Sequence, residues 1–140
     1  MPFGTGLVFA CAQMPAFRLG VELCEDVWAP VPPSVRLCLA GATVIANCSA
    51  SDETTGKAGY REMLIAGQSA RLVCAYIYAN AGEGESTQDL VFGGHDIIAE
   101  NGNILAESER FKNGMITADI DLVRLKNERR RMGIMVLALI

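Results

Sequence analysis

The chain has 140 residues, 51% of them hydrophobic, with a net charge of −4. That is enough apolar material for one domain with a real core, and it excludes a disordered chain. No basic block is present, so nothing points to a nucleic-acid surface. Five cysteines, an odd number without a Cys-x-x-Cys pair, exclude a disulfide scaffold and a zinc ribbon and predict a reducing, cytoplasmic setting. The N-terminus lacks a charged segment ahead of an apolar one, so no secretory leader is expected.

Phe17–Leu23 reads as a strand. Pro30, Pro32 and Pro33 then forbid its continuation and prepare a helix start, because proline suits a first helical turn. Ser34–Ala40 follows as a short helix that Gly41 ends. The β-branched run Thr43–Asn47 predicts a strand covered on both faces. Ser49–Gly59 is polar and glycine-containing, hence a loop. Tyr60–Cys74 predicts a helix with one buried side carrying Met63, Leu64, Ala70, Leu72 and Val73. Tyr76–Asn80 is another strand. This alternation of strands and helices implies an α/β fold with a mostly parallel sheet.

The last third differs. Gly82–Thr87 is a loop; it lacks a Gly-Lys-Ser/Thr ending and carries two acids, so it is no phosphate loop. His95–Ala99 and Ile104–Glu107 are short strands, joined by Glu100-Asn101-Gly102-Asn103, a hairpin signal. Met115–Ala118 is predicted as one more strand. Asp121–Met132 is a helix with an acidic start and a basic end, Arg129-Arg130-Arg131, which complements the helix dipole. The apolar run from Ile134 to Ile140 is too short to span a bilayer and reads as a core strand or an artificial end. No repeat or linker divides residues 1–140, which form one unit.

Chemistry concentrates at Cys24. The run Gly20-Val21-Glu22-Leu23-Cys24-Glu25-Asp26-Val27-Trp28 feeds a strand into a thiol at a corner, where the backbone leaves the sheet and the side chain can face outward. The following backbone N–H groups would face a developing oxyanion. Free cysteine is usually a buried small hydrophobe. Cys11, Cys38, Cys48 and Cys74 fit that reading; only Cys24 has flanking acids and a corner. The single histidine, His95, cannot build a metal site without several partners, and no metal is expected. Glu22, Glu25 and Asp26 are aimed apart by strand and turn geometry, which argues against a paired acid site. Trp28 and Tyr60 read as core or pocket wall.

These residues resemble the nucleophile region of the nitrilase (carbon–nitrogen hydrolase) superfamily. The match continues through Pro32-Pro33-Ser34 and Leu39-Ala40-Gly41-Ala42. Ala46-Asn47-Cys48-Ser49-Ala50-Ser51, Gln68-Ser69-Ala70-Arg71, Gly82-Glu83-Gly84-Glu85-Ser86-Thr87 and Ala106-Glu107-Ser108-Glu109-Arg110-Phe111 resemble one branch, the glutaminase domains of glutamine-dependent NAD synthetases. The resemblance runs to about Met132. It implies part of a four-layer α-β-β-α sandwich with a mixed sheet and a Glu-Lys-Cys triad. It also implies hydrolysis of the glutamine side-chain amide through a cysteine thioester, with ammonia passed on to amidate nicotinic acid adenine dinucleotide. By resemblance Cys24 is the nucleophile, the Glu25 backbone N–H contributes to the oxyanion hole, and the Glu25 carboxylate and Ser51 hold glutamine. The Gly82–Thr87 loop borders the pocket in that branch.

The pattern then departs from the family. Residues 1–23 contain no lysine and only one glutamate, Glu22, in the strand beside the nucleophile. Lys57 follows the cysteine in a predicted loop and makes a poor substitute for the triad lysine. The expectation is therefore the C-terminal half of a glutaminase domain, inactive alone. The N-terminal half and the synthetase domain, where ATP and magnesium would act, are absent, and no cofactor is expected in this piece. Expected partners are glutamine, the parent's synthetase domain and further copies in a homo-oligomer, with no membrane. The alternatives are a stand-alone nitrilase or carbamoylase, or a non-catalytic remnant that only packs or oligomerises.

Overall fold

The computed structural model describes residues 3–85 and 88–133. Six strands form one mixed sheet in the order β1-β2-β3-β4-β5-β6. They are β1 (Val8–Ala10), β2 (Arg18–Leu23), β3 (Val44–Ser49), β4 (Ala75–Asn80), β5 (Ile97–Glu100) and β6 (Asn103–Glu107). The β2–β3 and β3–β4 pairs are parallel; the other three are antiparallel. The parallel pairs are joined by helices α1 (Pro33–Leu39) and α2 (Lys57–Leu72), as crossovers require. A third helix, α3 (Leu122–Met132), follows the hairpin.

Register sorts the side chains onto two faces. Gly20, Ile45 and Tyr76 lie in one row and Leu19, Val44 and Ala75 in the next, so they point opposite ways. The first face packs under α1 and α2 in the main core with Leu37, Ile65, Leu72, Tyr78, Ile97 and Ala99. Gly20 permits this: a Cβ there would lie 3.1 Å from Leu37 Cβ and 3.0 Å from Ile45 Cδ1. On the second face Leu125 of α3 closes a smaller cluster with Val44, Val73 and Ala75. Farther along that face the rows Val21–Ala46–Ile77 and Leu23–Cys48–Ala79 continue past α3. Val21 and Leu23 remain 41% and 60% exposed there. The α/β fold is thus one helix-covered sheet; a second sheet is absent among the described residues.

Several boundaries differ from expectation. The α2 helix begins at Lys57, inside the predicted loop, because Gly56 supplies a left-handed residue (φ 82°) and the Lys57 N–H reaches the Thr54 carbonyl. Its buried side carries Arg61, Ile65, Gln68, Ser69 and Leu72, whereas Met63 is 64% exposed. Polar residues lie inward because each has a partner there, and an apolar pattern cannot reveal that. Strand β1 went unforeseen; three residues are too few for alternation to register. Met115–Ala118 is not a strand, since no neighbouring strand pairs with it, and Met115 is 87% exposed. The hairpin forms as predicted, with Asn101 and Gly102 both at positive φ (45° and 89°), as a type I′ turn requires. Ser86 and Thr87 of the glycine-rich loop, and the terminal run 134–140, lie outside the described residues.

Candidate active site

Strand β2 ends at Leu23, and the chain turns at once into a 3-10 helix, Cys24–Trp28. Cys24 makes the corner with φ 48°, a conformation that non-glycine residues adopt rarely and at a cost. Asp26 holds the turn by accepting the Leu23 backbone N–H at 2.7 Å. The first N–H groups of such a helix have no intrahelical acceptor, and the Glu25 N–H is among them.

A cavity of about 550 Å³ opens in front of the thiol. Its walls include Cys24, Glu25, Trp28, Ser51, Asp52 and Lys57. The sequence-predicted residues Cys24, Glu25 and Ser51 therefore share one cavity. Ser51 is placed by Asn80, whose side-chain amide accepts the Ser51 N–H at 2.8 Å and donates to its carbonyl at 3.1 Å. Asn80 is fixed in turn by Asp96, which accepts its backbone N–H. The Trp28 ring stacks on Tyr60 at 5.3 Å between centroids, which sets the wall's angle. Trp28 is wall of this cavity, as expected; Tyr60, 51% exposed, backs Trp28 and lines a neighbouring groove instead. The described part of the Gly82 loop does not line this cavity; Gly82 packs against Gly94, and Glu83 accepts from Asn113.

Lys57, expected in a loop, begins α2 and lines the cavity. Its ammonium donates to Asp52 at 2.5 Å and stands 5.8 Å over the Trp28 ring. The hydrogen bond from Lys57 holds the Asp52 carboxyl below its ordinary range. The helix start at Lys57, hidden from an apolar-pattern reading, brings this cation to the site.

Beneath the corner runs a buried polar network. The Glu22 carboxylate, 2% exposed, accepts the Ser34 N–H at the first turn of α1 (2.6 Å) and the Tyr76 hydroxyl. The Asn47 amide donates to both the Tyr76 oxygen and the Cys24 carbonyl, each at 3.3 Å. Burial, with the Glu22 charge beside it, pushes the Tyr76 hydroxyl far above its ordinary value, so it stays a donor. Glu22, Glu25 and Asp26 do point apart, into the core, the cavity and the turn.

A second buried cluster lies one turn into α2. Arg61, fully buried, donates to Glu53 at 3.2 Å and to His95 Nδ1 at 2.7 Å. A guanidinium only donates, so Nδ1 accepts, and Nε2–H donates to Glu107 at 2.6 Å. Glu62, His95 and Glu107 offer three donor atoms within 4.8 Å of one another. A metal on Nε2 would need the proton on Nδ1, facing the Arg61 N–H, and would sit beside a fixed positive charge. This arrangement fits a structural hydrogen-bond chain, not a cation. The other four thiols do not line the cavity: Cys38 and Cys74 are in the core as expected, whereas Cys11 is only half-buried and Cys48, on the sheet face away from α1 and α2, is exposed. The hydrogen bond with Cys38, and burial, hold the Cys74 thiol well above its ordinary range.

The family model for carbon-nitrogen hydrolases matches residues 1–130. The chain belongs to the carbon–nitrogen hydrolase family. It is 53% identical over 133 residues to the glutamine-dependent NAD(+) synthetase of Mycobacterium bovis, covering 94% of this chain and 20% of that protein. The chain thus spans about a fifth of the length of the curated relatives it matches. The crystal structure of a glutamine-dependent NAD(+) synthetase from Cytophaga hutchinsonii superposes with a TM-score of 0.61 at 30% identity, covering 74% of this chain and 16% of that one. Saccharomyces cerevisiae Nit3, a member of branch 10 of the nitrilase superfamily, superposes with a TM-score of 0.74 at 18% identity, over 94% of this chain and 46% of its own. That last likeness shares the carbon–nitrogen hydrolase fold. No helix among the described residues is long and apolar enough to cross a membrane.

Proposed function

We propose that this chain is the nucleophile-bearing part of the glutaminase domain of a glutamine-dependent NAD synthetase. The observation that carries this reading is the convergence of Cys24, at positive φ, with Glu25 and Ser51 on one open cavity. The Cys24 thiolate attacks the side-chain amide carbon of glutamine, forming a C–S bond. The Glu25 N–H stabilises the oxyanion. Collapse breaks the C–N bond, and the protonated nitrogen leaves as ammonia. Water then cleaves the thioester to glutamate and returns the thiol. The Glu25 carboxylate and the Ser51 hydroxyl hold the amino-acid end of the substrate. Ammonia serves amidation of nicotinic acid adenine dinucleotide in the synthetase part of the parent, which is where ATP and magnesium act.

The triad's glutamate and lysine belong to a part of the parent that residues 1–23 do not supply. Lys57 does not replace the lysine, because Asp52 already neutralises it. The chain by itself therefore has little or no glutaminase activity. Its exposed Val21 and Leu23 favour association with further protein, including a second copy. Five unpaired cysteines accord with a cytoplasmic location.

Diazo-oxo-norleucine, an electrophilic glutamine mimic, tests the site. Mass spectrometry should find Cys24 modified ahead of the other four cysteines, with protection by glutamine and loss of labelling in Glu25→Ala. Unselective labelling, or labelling indifferent to glutamine, would favour a non-catalytic remnant. Ammonia release from glutamine by the purified chain, abolished by Cys24→Ala, would overturn the inactivity.

A further inference from the structure

On the opposite side of the molecule from Cys24, the start of β2, the end of α1 and the last turns of α3 enclose a second cavity of about 310 Å³. Four of its lining side chains are cationic: Arg18, Lys126, Arg129 and Arg130. On a chain of net charge −4 this is a local inversion of sign. None of the four has a carboxylate partner among the described residues. The nearby acids of α3 are engaged elsewhere: Glu128 pairs with Arg131, and Asp121 accepts the Arg124 N–H to cap the helix.

Helix-end carbonyls explain half of this cluster. Arg18 donates to the Ala40 carbonyl at the end of α1 (3.2 Å), and Arg129 donates to the Val73 and Leu72 carbonyls at the end of α2 (2.8 and 3.2 Å). These bonds fix both guanidinium groups at the cavity wall without a carboxylate partner, and Arg129 also lies beside the buried Cys38 thiol. The Arg18 Nε is buried without any acceptor. Gly41, at φ 103°, makes room for that group: a Cβ there would lie 3.1 Å from Arg18 Cζ. Lys126 and Arg130, four residues apart on one side of α3, bind no carbonyl and no acid. Carbonyl capping therefore does not account for either, and the helix dipole that Arg130 complements does not reach Lys126 in the middle of α3.

We infer that this cavity is a binding site for a phosphate-type oxyanion, with a diphosphate the best match. Four cations exceed what a single carboxylate needs, and planar guanidinium groups recognise phosphate by paired N–H donors. The volume lies at the lower end of small-ligand pockets and suits a compact anion. Pro15 and Ala16 give the rim an apolar wall, against which a group attached to the phosphate can rest. The site is separate from the thiol cavity and does not depend on the amidase reading.

Titration calorimetry on the chain at low ionic strength, with inorganic pyrophosphate and with adenosine 5′-diphosphate as separate probes, decides the matter. Saturable binding is expected, weakened roughly tenfold or more in Lys126→Gln/Arg130→Gln and weakened by added salt. Both side chains are exposed, so the double variant keeps the fold, which an unchanged thermal melt would show. Equal affinity for the two probes assigns the site to the diphosphate itself; tighter nucleotide binding assigns it to a nucleotide. Absence of saturable binding by either probe, or equal binding by the double variant, would overturn the proposal.

Discussion

Tyr76→Phe removes one hydroxyl from the network under the nucleophile corner and leaves the ring in place. The Glu22 carboxylate, 2% exposed, then keeps the Ser34 N–H as its one remaining donor. Asn47 loses the Tyr76 oxygen but retains the Cys24 carbonyl. A hydrogen bond to a charged group contributes about 1.5–3 kcal/mol, and the lost donor is not replaced where solvent is excluded. No cavity forms, because only an oxygen is deleted. The expected destabilisation is therefore about 2–3 kcal/mol, a large share of the roughly 5–15 kcal/mol typical of a domain. Urea denaturation followed by the single tryptophan, Trp28, should show the midpoint falling by roughly 1 M. Glu22→Gln supplies the control. The double variant Glu22→Gln/Tyr76→Phe should lose less than the sum of the single losses, because both remove the same charged bond. A Tyr76→Phe loss under about 0.5 kcal/mol, or strict additivity, would refute the account of this network.

Other substitutions test the packing and the site walls. Gly20→Ala places a Cβ 3.1 Å from Leu37 Cβ, which cannot rotate away; the net cost should be about 1–2 kcal/mol in urea denaturation, even after the backbone-entropy gain of alanine. Asp52 should stay ionised below the ordinary aspartate range because Lys57 holds its folded value down, so the pair's contribution is present above the unfolded value and lost as pH falls through the folded one. An NMR pH titration of the Asp52 carboxyl should show this, and Lys57→Met should return it toward ordinary behaviour; an unchanged titration in that variant counts against the pairing. Leu23→Lys, at a 60% exposed position on the uncovered face, should reduce self-association in sedimentation experiments and leave the urea midpoint unchanged. Equal association in that variant would place the contact elsewhere.

How much of this was legible in the sequence depended on what kind of force placed each residue. The strands β2 to β4 are legible because short apolar runs between turn residues, β-branched in β3, have no better use than a buried sheet. The Asn101-Gly102 hairpin was readable because few other pairs tolerate two positive φ values. The corner at Cys24 was visible as a strand running into acids and prolines. The start of α2 was not, because Gly56 and Lys57 carry no apolar signal. With that start hidden, the sequence leaves Lys57 in a loop. Likewise Arg61 and Tyr76 are buried by specific polar partners 34 and 54 residues distant in sequence, which no local pattern encodes.

The charges around Cys24 bear on the proposal that the chain by itself has little glutaminase activity. Glu22 is two residues away in sequence, yet register turns it onto the helix-covered face, where the Ser34 N–H and the Tyr76 hydroxyl consume its oxygens. It cannot reach a proton on the cavity side of the turn. Lys57 is on the cavity side, but its ammonium is paired with Asp52 at 2.5 Å, which reduces the positive field it offers there. A thiol needs a base or an uncompensated cation to become a thiolate near neutral pH. Each candidate within the described residues is already committed to holding the fold. On the proposed reading, the corner and the cavity wall are built by local structure in this chain, whereas neither Glu22 nor Lys57 is placed to take the thiol proton.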